Sequence, residues 1–81
     1  MPIRSPKHAN HAVLVSLGAA IRRTRHEQQV SQEQLALETE IDRSYLGAIE
    51  RGEQNIGMLH VWRICQALRV SMSDLLSRSG L

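Results

Sequence analysis

The stretch Asp42-Arg-Ser-Tyr-Leu-Gly-Ala-Ile-Glu-Arg-Gly52 constrains this chain more than any other. Asp42 can accept from the free amides that open a helix, and Gly52 can take the left-handed conformation that ends one, so the residues between them read as a short helix. At about 100° per residue, Tyr45, Leu46 and Ile49 fall on one side, and Arg43, Ser44, Gly47, Ala48 and Arg51 share the other. A helix that keeps an apolar face inside and turns two arginines and small residues outward can press its backbone close to something anionic. Nucleic acid is the first candidate.

Composition narrows the context. With 81 residues, 42% of them hydrophobic and 22% charged, one small domain is expected, with a core limited by its surface-to-volume ratio. Ten basic against eight acidic residues, a formal charge of +2, suit a polyanion without specifying one. The single cysteine, Cys65, excludes an internal disulfide. No apolar run approaches the roughly 18 residues of a membrane span, and the first residues lack the apolar core of a signal peptide, so a cytoplasmic protein with no membrane partner is expected. Tyr45 and Trp62 are the only aromatic residues, too few for stacking unpaired bases.

Along the chain, residues 1–10 hold both prolines with Arg4, Lys7 and His8 and show no hydrophobic period, which reads as a flexible basic arm. His8 and His11 are spaced i, i+3, but two histidines without a third ligand do not define a metal site, and no metal, cofactor or small-molecule ligand is expected. From about Asn10 to Gln28, Leu14, Leu17, Gly18, Ile21, Arg25 and Gln28 line one helical face. Arg25 on that stripe must snorkel or meet an acid, and Glu50 is the candidate. Ser31-Gln-Glu-Gln34 has the form of a capping box, with the Gln34 side chain expected to reach back, and opens a helix from Gln32 to about Thr39. Glu40 and Ile41 make a short turn before Asp42. After Gly52, a polar loop leads to a helix from Met58 to Leu68, in which Met58, Val61, Trp62, Ile64, Cys65 and Leu68 form a wide apolar arc. Ser71-Met-Ser-Asp74 starts a last helix with Leu75 and Leu76. Five helices and no strand result, a compact all-α domain over residues 11–78, with a helix-turn-helix at 32–51 and a short tail at 79–81.

That order resembles the lambda-repressor/Cro-like helix-turn-helix family, also called the XRE family, over about Leu17 to Leu76. The matching parts are Leu17-Gly-Ala-Ala-Ile-Arg-Arg-Thr-Arg25, Ser31-Gln-Glu-Gln-Leu-Ala36, Ile41-Asp-Arg-Ser-Tyr-Leu46, Ile49-Glu-Arg-Gly52 and Ala67-Leu-Arg-Val-Ser71. The resemblance implies a recognition helix from Asp42 to Arg51 that enters the major groove of double-stranded DNA by its amino-terminal end. By position it implies base contacts from Arg43 and Ser44, with Ala48 one turn on. It implies backbone contacts from Gln32, Arg51 and Asn55, and a structural ion pair between Arg25 and Glu50. Each has a plainer counterpart: Arg43 and Arg51 also fit solvated surface arginines, Cys65 a small core residue, His26 and His60 surface positions. Two departures stand out. Glu40 occupies a turn position often held by glycine, so the turn is either strained or shaped differently, and Ile56 stands where proline is common.

A single domain of this size reads few base pairs, so a homodimer on a near-palindromic operator is expected. Trp62, Leu75, Leu76 and Leu81 are the candidates for its interface, against the plainer reading that Trp62 and Leu75 complete the core. The recognition tract and short length are similar to controller proteins of restriction-modification systems, although that motif usually has serine where Gly47 stands. The expectation is a transcription regulator. Its rival is an antitoxin-like interaction module whose last helices cover a partner protein. An enzyme is not expected, because no nucleophile, paired acid or phosphate-cradling glycine loop is present at useful spacing.

Overall fold

The computed structural model describes residues 9–81. Among them lie five helices and no strand: α1 (Ala12–Glu27), α2 (Gln32–Thr39), α3 (Arg43–Glu50), α4 (Met58–Leu68) and α5 (Met72–Arg78). Most of the basic arm falls outside the described residues. At its end, the Asn10 amide donates to the Gly52 carbonyl at 2.7 Å and ties the entry of α1 to the exit of α3.

Local chemistry sets the boundaries. The side chains of His11, Ser31, Asp42 and Ser71 each accept from a backbone amide in the first turn of α1, α2, α3 and α5, and only α4, preceded by Gly57, starts without such a cap. The capping box at α2 is half formed. Ser31 Oγ accepts from the Gln34 amide at 3.0 Å, but Gln34 Nε2 turns forward to Glu38 Oε1 at 3.3 Å instead of reaching back. An exposed acid one turn along competes successfully for that donor.

All five helices close in the same way. The amides of Val30, Ile41, Glu53, Val70 and Leu81 reach back five residues to the carbonyls of Arg25, Ala36, Ala48, Cys65 and Leu76. This geometry places the preceding residue in the left-handed region. Gly52 and Gly80 take that position without strain, whereas Gln29, Glu40 and Arg69 hold it with φ of 58°, 59° and 59°. Glu40 therefore resolves the sequence ambiguity: the turn keeps its left-handed shape, at a cost of roughly 1 kcal/mol relative to glycine. The short helices persist because their buried side chains stabilise them, at about 1.5 to 3 kcal/mol for each fully buried leucine or isoleucine.

Leu17, Ile21, Leu35, Leu46, Ile49, Ile64, Leu68 and Leu75 form the centre of one hydrophobic cluster, filled out by Ala20, Ala36, Ile41, Val61 and Cys65. α1 packs on α3 and α5, and α2 packs on α3 and α4. Gly18 sits where α1 crosses α3. A Cβ added there would collide with the Ile49 carbonyl oxygen and lie 2.7 Å from that of Glu50. Gly52 is doubly required, by its φ of +77° and by the backbone of Val15, 2.7 Å from the position a Cβ would take.

Two sequence expectations change. Leu75 is fully buried, because α5 packs its first leucine against α1 and α4, so it has no surface to offer a partner. His60 is half-buried, with its ring edge-on to Tyr45 at a centroid distance of 5.5 Å. Trp62, Leu76 and Leu81 remain exposed at 48%, 41% and 55%, together with Met58 and Leu59.

Substituting Gly18 by alanine tests the crossing. In an exposed helix the change would add nearly 1 kcal/mol; here the collision with α3 is expected to reverse the sign and remove about 1 to 3 kcal/mol of unfolding free energy in urea titrations. Burial, with a smaller contribution from Asp74, pushes the Cys65 thiol above its ordinary pKa. Cys65 is therefore expected to resist thiol-specific reagents at neutral pH until the protein unfolds, at which point one equivalent reacts.

Candidate nucleic-acid interface

The helix-turn-helix is built around a polar chain running from the core to the surface. Arg25, on α1, donates from Nε to Glu50 Oε2 at 2.8 Å and from Nη2 to Glu50 Oε1 at 2.9 Å. Its Nη1 donates to the Val30 carbonyl at 3.1 Å, in the link between α1 and α2. The two side chains are only 8% and 3% exposed. The bond to Glu50 raises the Arg25 pKa against the opposing effect of burial. The fork-on-carboxylate geometry uses the planar guanidinium fully, the arrangement that offsets the desolvation of both ions. Gly18 makes it possible: two turns before Arg25, it lets α1 approach the end of α3 closely enough for the arginine to reach Glu50.

Gln32, the first residue of α2, extends the chain outward. Its Nε2 donates to Glu50 Oε1 at 3.1 Å, and its Oε1 accepts from Arg43 Nη1 at 2.9 Å. Arg43 is exposed and Ser44 half-exposed, both at the start of α3, where Asp42 Oδ2 accepts from the Tyr45 amide at 3.2 Å. Beside this chain, Arg22, Arg25, Ser31, Gln32, Glu33, Gly47, Glu50 and Arg51 line an open cleft of about 460 Å³. Its rim carries exposed Arg22 and Arg51, and the amino-terminal end of α2 opens into it. Amides that lack helical partners and the exposed Arg22 guanidinium favour an anion there.

The remaining sequence-derived positions divide. Arg51 lines the cleft but is held by Glu53, from Nε to Oε2 at 3.0 Å and from Nη2 to Oε1 at 3.2 Å, and that bond raises its pKa. Asn55 is not at the cleft; it lies with His11, Val13 and Leu14 beside the start of α1. Ala48 does not face outward. It is 5% exposed in the assembled fold, so its methyl group has no surface to offer a base. Gly47 is buried beneath side chains: a Cβ would lie 3.1 Å from Arg51 Nη1 and 3.5 Å from Gln32 Oε1. Its small size leaves room for the Arg51 guanidinium, whereas the distance to Gln32 is that of an ordinary contact. Arg22 was missed by sequence reasoning. Its signal is positional, one turn after Gly18 and one before Arg25, on the edge of the stripe that meets α3.

Two short helices at a tight turn, the second presenting a polar amino-terminal end beside a cationic cleft, define a helix-turn-helix DNA-binding module. The chain belongs to the helix-turn-helix family, whose model matches residues 21–75, and is a DNA-binding, XRE-type regulator by that membership. It is similar to the control protein C.SmaI of Serratia marcescens, with 37% identity over 65 residues, covering 80% of this chain and 77% of that protein. The restriction-modification controller protein C.AhdI of Aeromonas hydrophila has a similar structure, with a TM-score of 0.78 and 35% identity over 80% of this chain and 98% of that one. SinR, the master regulator for biofilm formation, solved in complex with DNA, aligns with a TM-score of 0.70 and 33% identity over 74% of this chain and 97% of its own.

The buried pair carries a direct stability test. Glu50→Ala strands the Arg25 guanidinium inside and is expected to cost about 3 to 5 kcal/mol. An unchanged melting temperature would show that the pair contributes nothing.

Proposed function

We propose that this chain is a sequence-specific double-stranded DNA-binding transcription regulator that acts as a homodimer on a near-palindromic operator and controls a restriction-modification system. The observation that carries the reading is the start of α3, where Arg43 is exposed and Ser44 half-exposed next to a cleft rimmed by Arg22 and Arg51. Arg43 grips guanine O6 and N7 through two donors, for roughly 1 to 3 kcal/mol of discrimination, and Ser44 reaches a neighbouring base edge. Gln32, Arg22 and the amides opening α2 meet phosphate, and Arg51 joins them by exchanging Glu53 for a phosphate oxygen. Asn55 is assigned a phosphate further along the same strand.

Exposed Trp62, Leu76 and Leu81 are assigned to the two-fold interface, which sets two recognition helices about 34 Å apart on successive major grooves. The similarity to C.SmaI and C.AhdI supports the restriction-modification role, in which the protein governs expression from the site it binds. The same exposed side chains, with Met58 at 69% and Leu59 at 61%, also suit an antitoxin-like module that covers a partner protein. A partner protein that copurifies and displaces the homodimer would favour that reading.

Selection from random duplex DNA tests the proposal. A palindrome should be recovered, and Arg43→Ala should relax the preference at one position in each half-site. Binding should weaken with salt at a log-log slope of about 0.9 per neutralised phosphate. Absence of any enriched sequence would reject operator recognition.

A further inference from the structure

α5 is the shortest helix, and its hold on the core is narrow. Leu75 is its one buried residue, with Met72 partly buried ahead of it. Two apolar anchors in its first half fix where α5 sits and leave its far end to a second device. Arg78 Nη1 donates to Glu27 Oε1 on α1 at 2.8 Å, and Arg78 Nε donates to Asp74 Oδ2 within α5 at 3.1 Å. The Arg78 carbonyl accepts from Arg23 Nη2, also on α1, at 2.9 Å. The last turn of α5 is thus gripped from α1 at both its side chain and its main chain. A single exposed ion pair contributes little, but a guanidinium shared between two acids and backed by a main-chain bond restrains direction. The gripped turn carries apolar surface: Gly80, at φ +76°, lets the Leu81 amide bond to the Leu76 carbonyl at 3.2 Å, which turns exposed Leu81 back toward exposed Leu76. α1 is the common support. Arg23 and Glu27 share its second half with Arg22, on the rim of the cleft, and with Arg25, which holds Glu50 of α3.

We propose that Arg78 is a positioning residue for half-site spacing: by locking the end of α5 to α1, it fixes the orientation of the two-fold interface relative to the recognition helix. The proposal rests on the reading of the chain as a dimeric operator-binding protein with Leu76 and Leu81 at the interface. In such a dimer the two recognition helices are linked through rigid parts, from the leucines through α5, the Arg78 clasp and α1 to α3. One base pair added between the half-sites shifts the second by about 3.4 Å and turns it by about 35°. A stiff linkage cannot follow, and one recognition helix loses its bases; a linkage that pivots at Leu75 can. Stiffness therefore acts on spacing rather than on the reading of each half-site. An interface residue would instead change dimerisation itself, and a phosphate contact would act on every duplex alike.

The test uses the full chain, the best palindrome from the selection, and two duplexes of the same total length with one base pair inserted or removed between the half-sites. The wild-type protein should prefer the original spacing by at least about tenfold, the scale of a mismatched base pair. Arg78→Met keeps an unbranched apolar stem without the donors. It should bring that ratio within about threefold of unity, lower affinity for the original duplex by less than about threefold, and remain dimeric in sedimentation. Glu27→Ala removes the acid that α1 contributes and leaves the Asp74 bond within α5. It should reproduce the loss, and it decides the matter should the Arg78 variant melt below the assay temperature. Spacing preference preserved in either folded variant overturns the proposal. A variant that becomes monomeric and binds half-sites independently assigns the clasp to the interface itself and overturns it too. A dimeric wild-type protein that binds the palindrome yet accepts all three spacings overturns the proposal alone, whereas no palindrome or no dimer overturns the operator reading with it.

Discussion

A charged pair inside so small a domain is the constraint on which the other contacts depend. Apolar burial drives collapse but is non-directional, and helices with apolar stripes can pack in several related ways. The Arg25–Glu50 pair is directional. It is satisfied only when the second half of α1, the α1–α2 link and the last turn of α3 meet within hydrogen-bond distance at defined angles. Any packing that separates them leaves an ion in a medium that cannot solvate it, a penalty of several kcal/mol in a fold whose total margin is of order 5 to 15. Gly18 and the pair are therefore parts of one device: the missing side chain sets the approach, and the charges select the register.

The helix ends supply the second layer of specification. All five terminate in a left-handed residue followed by a long backward bond, and three of those residues are not glycine. At Glu40 the strain falls in the turn of the helix-turn-helix, where a different backbone would swing α3 and its outward residues away from the start of α2. The buried residues on either side, Ala36, Thr39 and Ile41, hold that turn in place, with Thr39 Oγ1 bonded to the Leu35 carbonyl at 2.7 Å. Strain of about 1 kcal/mol is tolerable where packing on both flanks stabilises the only geometry that presents Arg43 beside Gln32.

The surface follows from the same frame. Because α2 and α3 are joined by the tight turn and by Gln32, the outward arginine, the open end of α2 and the rim cations Arg22 and Arg51 form one continuous face. Exposed apolar residues are spread over the fold: Met58, Leu59, Trp62, Leu76 and Leu81 on α4, α5 and the tail, Leu37 on α2, and Val13 and Val15 on α1.

Much was legible from residue order. Caps at Ser31, Asp42 and Ser71 and the left-handed residue Gly52 marked helix ends, because capping is a local bond between near neighbours. Arg25 on an apolar stripe announced a buried acid, and Glu50 was identified because an unpaired guanidinium has few alternatives. Failures arose where a residue's surroundings came from other elements. A helical wheel turns Ala48 outward, but it is buried once the helices pack; Leu75 looks available until α5 packs it against α1 and α4. Gln34 chose Glu38 over its own cap, and Arg22 gained significance only from the cleft that α2 and α3 build around it. Residue order alone specified the helices and the ion pair, since these rest on short-range spacing and on the cost of a buried charge, and left the shape of the turn at Glu40 open. Only the tertiary structure decided which faces remain exposed and that Gln32 joins the core to Arg43, because both depend on the crossing of helices distant in the chain.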